Sequence, residues 1–331
     1  MKRFIAALAV LSLSFGFLFA VDTYHSEQFY TVKVNNACKD GATCYDMLDK
    51  FVKDGVLAFV VKDKNSCTHM TQIMAGIYET STEAKEAAEA LSEAYGVKCV
   101  VGESYDISTT NFKDKFTVIN TPGGIWLSEA GKYTRLFDYG RGFAGVKEST
   151  DNKVSISPSG KEIVFYFKGM IYKHDIVKGK DTILVNSGRE GLDLLKSSPQ
   201  WSYDGKYIAF LDKLAYKAST CLRVVDNTGA EMKFLHDNTN KKEAVLSFKW
   251  DPAKNVVYFV EVFDQREVPV GGKLLMADMS GKTKTLVEPE ANSDVDRHFR
   301  LEGEKLIYSQ NKYNKIDKSQ YTSEERELML N

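Results

Sequence analysis

Apolar and polar residues alternate along most of this chain, and the alternation gives way to helical spacing in two stretches near the N-terminus. Phe29 to Asn35 (FYTVKVN) alternates as a half-buried strand does. Cys44 to Lys53 then sets Met47, Leu48, Phe51 and Val52 at helical spacing, and Gly55 stops the helix. Val56 to Val61 is a continuous apolar strand, and Met70 to Tyr78 is another. Thr80 with Glu83 predicts a capping box opening a second helix. Its apolar stripe is Ala84, Ala87, Ala88, Leu91 and Tyr95, and Gly96 ends it. Val97 to Val101 is the last strand of this group. The order βαββαβ predicts a small ferredoxin-like sheet with two helices on one face.

From Tyr105 onward strand follows strand. SISPSGKEIVF (Ser155 to Phe165) is echoed by SPQWSYDGKYIAF (Ser198 to Phe210), KWDPAKNVVYF (Lys249 to Phe259) and FRLEGEKLIY (Phe299 to Tyr308). Aligned on Gly160, Gly205, Lys254 and Gly303, the copies lie 45, 49 and 49 residues apart. That period is the mark of a β-propeller, whose four-stranded blades cannot bury a core singly and must stack. A second phrase recurs between the copies, an apolar residue, an acid four places on and then a glycine. Ile125–Glu129–Gly131, Ile171–Asp175–Gly179, Leu222–Asp226–Gly229 and Leu274–Asp278–Gly281 are its four instances. The acid can accept backbone amides across a turn, and glycine takes the positive φ the turn needs. Three clear units, a partial one from about Tyr105 to Tyr139 and another from Arg297 predict five blades, with four and six as alternative counts. In the tail, Thr322 with Glu325 reads as a capping box, so Thr322 to Leu330 is expected to be a short helix.

These repeats resemble the TolB-type propeller, whose units read roughly S-P-D-G-K-x-I-A-F followed by I-Y-x-x-D-x-x-x-G. Ser157-Pro158-Ser159-Gly160-Lys161 and Tyr203-Asp204-Gly205-Lys206 are the best copies, and the third keeps the pattern without its glycine. The resemblance covers about Tyr105 to Asn314 and implies a WD40-like interaction scaffold.

Ile73 to Leu91 (IMAGIYETSTEAKEAAEAL) in turn resembles the second half of a SPOR domain, in Gly76, Tyr78, Thr80, Glu83 and Ala84. SPOR domains bind peptidoglycan glycan strands on the open sheet face, which here implies Thr31, Lys33, Asn35, Gln72 and Met74. The family tends to carry Gln and Gly where this chain has Lys33 and Asn35. The competing reading is an adaptor that packs on the repeats without touching glycan.

Composition narrows the function. The 44 basic and 45 acidic residues cancel to −1, so nothing suggests a nucleic-acid surface, and no like-charge run marks a solvating tail. Lys2 and Arg3 precede an apolar run from Phe4 to Phe19, with Ala20 suited to cleavage. A Sec-type signal peptide is expected there in preference to an uncleaved anchor. The expected layout is therefore signal 1–20, α+β domain 21–103, propeller 104–316 and tail 317–331. Export makes Cys38, Cys44, Cys67 and Cys99 candidates for two disulfides with three connectivities, while Cys221 stands alone. No C-x-x-C or H-x-x-x-H spacing points to a metal, so no cofactor or metal is expected.

Catalytic patterns are equally scarce. There is no G-x-S-x-G, H-E-x-x-H or dinucleotide glycine set, and Gly281-Lys282-Thr283 imitates a P-loop end inside a repeat turn. His25, His69, His174, His236 and His298 are scattered with no evident partner, and Asp175, Asp226 and Asp278 recur as turn formers. Trp201 and Trp250 share a repeat position, which predicts core packing. Tyr216–Ser219, Asn238–Glu243 and Asp264–Gly272 break the period and are the expected partner-facing loops. The chain reads as mainly β and non-catalytic, a periplasmic scaffold for an envelope protein. The resemblance to TolB implies a link to the Tol–Pal system, and the SPOR resemblance implies peptidoglycan contact. An exported enzyme or glycan-binding propeller is the alternative.

Overall fold

The computed structural model describes residues 24–35, 41–62, 71–139, 154–190, 192, 194, 198–213, 219–239, 243–263, 271–314 and 320–330. The chain divides into two compact units, residues 1–154 with 176–180, and residues 155–175 with 181–331. The expected signal peptide lies outside the described residues. No described helix is long and apolar enough to cross a membrane.

The first unit opens with β1 (Tyr24–Val34), α1 (Gly41–Lys53), β2 (Ala58–Lys62), β3 (Thr71–Tyr78), α2 (Ser81–Tyr95) and β4 (Cys99–Phe112), the order the hydrophobic pattern predicts. The predicted cap is present: Glu83 N–H donates to Thr80 Oγ1 at 3.2 Å, and Thr80 N–H donates to Glu83 Oε2 at 3.1 Å. Gly96 takes φ 66° to end α2. Strands β2, β3, β1 and β4 are neighbours in that order, all antiparallel.

The sheet does not stop there. Strands β5 (Phe116–Thr121), β6 (Gly124–Glu129) and β7 (Lys132–Asp138) continue it, giving seven strands in the order β2-β3-β1-β4-β5-β6-β7. Strand β4 is 14 residues long and pairs with β1 from Tyr24↔Thr110 to Val34↔Cys99. It therefore runs unbroken through the expected 103/104 boundary, and no linker separates the α+β segment from the β4–β7 meander. Seven strands of inherent twist curl, and both faces become buried. Val32, Val34, Ile73, Ala75, Ala58 and Val60 pack with Leu48, Phe51, Ala87, Ala88 and Leu91 of the helices. Phe59, Val61 and Met74 point the other way, into a cluster with Ile107, Ile119 and Trp126. The approach is close enough that a Cβ at Gly123 would lie 2.4 Å from that of Phe59.

The second unit repeats a four-stranded meander. The first comprises β8 (Ser155–Ile156), β9 (Glu162–Phe167), β10 (Met170–Asp175) and β11 (Lys180–Asn186), followed by one turn of helix, α3 (Ser187–Glu190). The second comprises β12 (Gln200–Trp201), β13 (Tyr207–Lys213), β14 (Thr220–Asp226) and β15 (Met232–His236). The third comprises β16 (Glu243–Trp250), β17 (Val256–Phe263), β18 (Gly271–Asp278) and β19 (Thr283–Val287). A last group comprises β20 (Ser293–Asp296), β21 (Arg300–Glu302), β22 (Lys305–Tyr313) and β23 (Tyr321–Met329).

Alternation hands the two faces of each middle strand to different neighbours. Ile208 and Phe210 of β13 pack with Val164, Ile171 and Leu184 of the first meander. Ala209 and Leu211 pack with Val257 and Phe259 of the third, whose Tyr258 and Val260 pack on Leu306 and Tyr308. Successive meanders stacked face to face in this way make propeller-type packing.

The expected C-terminal helix is a strand. Residues 321–329 pair with β22 in unbroken antiparallel register from Tyr313↔Tyr321 to Lys305↔Met329. A nine-residue ladder, with Leu328 and Leu330 packed on Leu306 and Tyr308, outweighs the local preference of Thr322 and Glu325 for a cap.

Candidate functional site

The two ends of the second unit's meanders are built differently. At one end lie the repeat turns. Gly205 N–H donates to Ser202 C=O at 3.0 Å and takes φ 68°, and Ser202 Oγ accepts Tyr207 N–H at 3.0 Å. Where Lys254 replaces the glycine, its φ is not positive, and Asp251 Oδ1 closes the turn by accepting Ala253 and Lys254 N–H at 2.8 and 2.9 Å. Asp226 Oδ1 accepts Thr228 and Ala230 N–H at 3.2 and 2.9 Å, and Asp278 Oδ1 accepts Ser280 and Lys282 N–H at 2.8 and 3.1 Å. The Ser280 hydrogen bonds hold the Asp278 carboxyl below its ordinary range. These acids are committed to turns, and Gly281-Lys282-Thr283 is one of them. Asn227 Nδ2 reaches Gly205 C=O at 3.1 Å, so both kinds of turn share this end.

At the other end the strands open into the period-breaking connections. Residues 214–218, 240–242 and 264–270 of these loops lie outside the described residues, but the strand ends that carry them are paired. Lys213 opposes Thr220, Thr220 opposes Ala244, and Glu243 opposes Phe263.

A polar cluster is buried at the base of these loops. Glu261 continues the face of Val257 and Phe259 on β17 and is 1% exposed. Its Oε1 takes a short hydrogen bond with Nε2 of His236, the last residue of β15, and accepts Asn238 Nδ2 at 3.0 Å. Its Oε2 lies 3.1 Å from the Lys273 ammonium of β18, which is 3.7 Å from Glu243 Oε1 at the start of β16. The His236 ring rests 4.8 Å from the Phe259 ring. Burial alone would raise the Glu261 carboxyl; the bond and charge of His236, then Asn238 and Lys273, overcome it and bring the pKa down to about 2. Burial works against the Lys273 ammonium too, but Glu261, Glu243 and Glu288 raise its pKa. A Cβ at Gly272 would fall 1.8 Å from the Glu261 carbonyl oxygen, so only glycine lets β18 bring Lys273 alongside.

Neighbouring groups extend the cluster. Asn238 N–H donates to Cys221 Sγ at 3.2 Å, and Arg223 Nε donates to the buried Asp212 Oδ2 at 2.7 Å. His236, Glu243 and Glu261 offer ligand atoms that all lie within 4.8 Å of one another.

His236, expected to stand without a partner, is hydrogen-bonded to Glu261. His174 is paired as well, with Nδ1 2.7 Å from Asp181 Oδ1. The signal for Glu261 was a single acid within the apolar strand VVYFVEVF. Its three partners, His236 at the end of β15, Asn238 just beyond it and Lys273 on β18, come together only through strand pairing.

The expected glycan face fares differently. Thr31 and Met74 are buried, and Thr31 Oγ1 donates to the Glu103 carbonyl at 2.8 Å. Lys33, Asn35 and Gln72 are half-buried. The face is not open because the curled sheet lays Ile107, Ile119 and Trp126 against Met74.

The two-disulfide expectation is also corrected. Cys44 is disulfide-bonded, but Cys99 is a free, buried thiol, held in the helix-side core where β4 starts beneath Ser92 of α2. Cys38 and Cys67 lie outside the described residues, and Cys221 is free and buried. Trp201 and Trp250 are buried as predicted, and Trp250 Nε1 donates to the Gln200 carbonyl.

No known family profile matches the chain, and no curated protein matches it. Solved structures do. TolB from Acinetobacter baumannii is 15% identical with a TM-score of 0.41, over 81% of this chain and 64% of that one. An oligogalacturonate lyase from Vibrio parahaemolyticus is 13% identical with a TM-score of 0.46, over 65% of this chain and 62% of the lyase. A prolyl endopeptidase is 12% identical with a TM-score of 0.47, over 70% of this chain; the chain spans only 38% of that enzyme.

Proposed function

We propose that this protein is a non-catalytic scaffold of the cell envelope, a TolB-like propeller of about five blades that presents its long-loop end to a protein partner. The observation carrying this reading is the contrast between the two ends of the meanders. One end spends its carboxylates and glycines on tight turns. The other carries the connections that break the sequence period, with a buried ionic cluster at the strand ends. Repeat proteins place variation where they bind, and this is the end that varies.

In this reading the α+β segment is an adaptor built into the β4–β7 meander through the shared β1–β4 pair. The SPOR-like order of its elements then serves packing, since Met74 and Thr31 are covered. The periplasm is the proposed location and a Tol–Pal-type component the proposed class of partner.

Photo-crosslinking in cells tests the proposal. A crosslinking residue at the exposed Lys213 or Asp237, on the loop end, should capture a defined envelope protein. The same residue at Lys254 or Ser280, on the turn end, should not. Equal capture from both ends removes the assignment of the face. Empty capture from the loop end, with turnover or saturable binding of a defined envelope glycan by the purified chain, replaces the scaffold with the enzyme or glycan-binding reading.

A further inference from the structure

We propose that His236, Glu243 and Glu261 form a binding site for a divalent first-row transition-metal ion, of the Zn2+ class, at the base of the long loops. The three side chains come from β15, β16 and β17, and their ligand atoms already lie within 4.8 Å of one another. Donors at about 2.0–2.2 Å around a tetrahedral ion sit a little over 3 Å apart, so closing the site takes rotamer adjustments and no movement of strands. One imidazole nitrogen with carboxylate oxygens suits Zn2+ or Mn2+ and is a poor set for Mg2+, which prefers oxygen and water alone.

An independent observation points the same way. Asn238 is fully buried, and its carboxamide abuts the cluster. Nδ2 donates to Glu261 Oε1 at 3.0 Å and to the Thr220 carbonyl at 3.3 Å, which fixes the orientation of the group. Oδ1 is left buried without a hydrogen-bond partner among the described residues. A buried amide oxygen costs about 1–3 kcal/mol when unpaired, and a hydrogen-bond donor such as a water ordered at the site is the kind of partner it lacks. Among the described residues, Lys273 is a cation that serves both carboxylates, 3.1 Å from Glu261 and 3.7 Å from Glu243. Lys273 and a metal ion therefore compete for the same two carboxylates.

Isothermal titration of the tag-free, chelator-treated full chain with Zn2+ alone, and in parallel with Mg2+ alone, tests the site. One equivalent of Zn2+ should bind, with Mg2+ silent at the same concentration. Glu243→Gln and His236→Gln should each weaken Zn2+ binding by about 100-fold or more. Lys273→Met should strengthen it by about tenfold, because the competing ammonium is gone. Its metal-free melting temperature should fall and recover with Zn2+. That last variant keeps the idea falsifiable if a ligand variant fails to fold, since a purely structural ion-pair network would lose stability on Lys273→Met without gaining metal affinity. Absence of a stoichiometric Zn2+ isotherm, equal affinity in the ligand variants, or unchanged affinity in Lys273→Met would each overturn the assignment.

Discussion

Trp250 Nε1 donates to the carbonyl of Gln200 at 3.0 Å, fifty residues back and one repeat earlier. Gln200 answers with its own side chain, Nε2 to the Phe248 carbonyl at 3.2 Å. The pair joins the first strands of two successive meanders side by side, where the ring of Trp250 also fills the shared core. Trp250→Phe keeps most of the ring and removes only its hydrogen bond to the Gln200 carbonyl, so it should cost about 0.5–1.5 kcal/mol. Trp250→Ala should cost about 3–5 kcal/mol, because the cavity adds to the lost bond. Urea denaturation measures both. Equal losses for the two variants would mean that the hydrogen bond, and not the ring, joins the meanders.

Tyr95 carries a pH dependence. Burial, then the charge and hydrogen bond of Asp54, push the Tyr95 hydroxyl from its ordinary 10.0 up to about 12. The folded state thus holds this proton more tightly than the unfolded state does. Its contribution is fully present below pH 10 and is lost as pH rises through the window from 10 to about 12. Tyr95→Phe keeps the contact with Phe51, 4.5 Å away, and has no proton to lose. The stability gap between the wild type and Tyr95→Phe should therefore shift in favour of the variant across that window and stay flat below it. Denaturant midpoints taken at intervals from neutral pH upward check the sign; a gap that moves toward the wild type contradicts it.

Thiol chemistry separates the cysteines. Labelling the unfolded, unreduced chain with an alkylating reagent should mark Cys99 and Cys221 and leave Cys44 unmarked until a reductant is added. In the folded chain Cys99 and Cys221 should react slowly, since both are buried and burial pushes each thiol up toward its neutral, unreactive form. Peptide mapping after each step reads the result. Cys99 protected in the unfolded, unreduced chain would restore the second bridge.

What the sequence made legible follows the reach of each interaction. The Thr80–Glu83 cap and the Asp226 and Asp278 turns were readable because donor and acceptor lie within four residues of one another. The period was readable because each meander repeats the same local solution. Met74 was misplaced because what covers it, Ile107, Ile119 and Trp126, comes from strands that the apparent domain boundary had assigned elsewhere. His236 and Glu261 lie 25 residues apart on neighbouring meanders, and they meet only because β14 pairs with both β15 and β16, and β16 with β17. A lone acid in an apolar strand was the one mark either left.

The C-terminal strand gives the sharpest test of local against long-range preference. Strand β23 carries exposed ion pairs: Arg300 with Glu325 at 2.7 and 3.1 Å, and Lys305 with Glu327 at 2.7 Å. Exposed pairs of this kind are screened by solvent and contribute little, so Glu325→Gln and Glu327→Gln should be nearly neutral. Leu328 and Leu330 cover Leu306 and Tyr308, and β23 closes the ladder on β22. Deleting residues 320–331 should therefore destabilise the last meander far more than both charge variants together. Hydrogen exchange should show the amides of Lys305–Tyr313 losing protection in the deletion and keeping it in the charge variants. A helix at Thr322–Leu330 would leave β22 protection unchanged on deletion, so the exchange pattern of β22 discriminates between the two conformations of the tail.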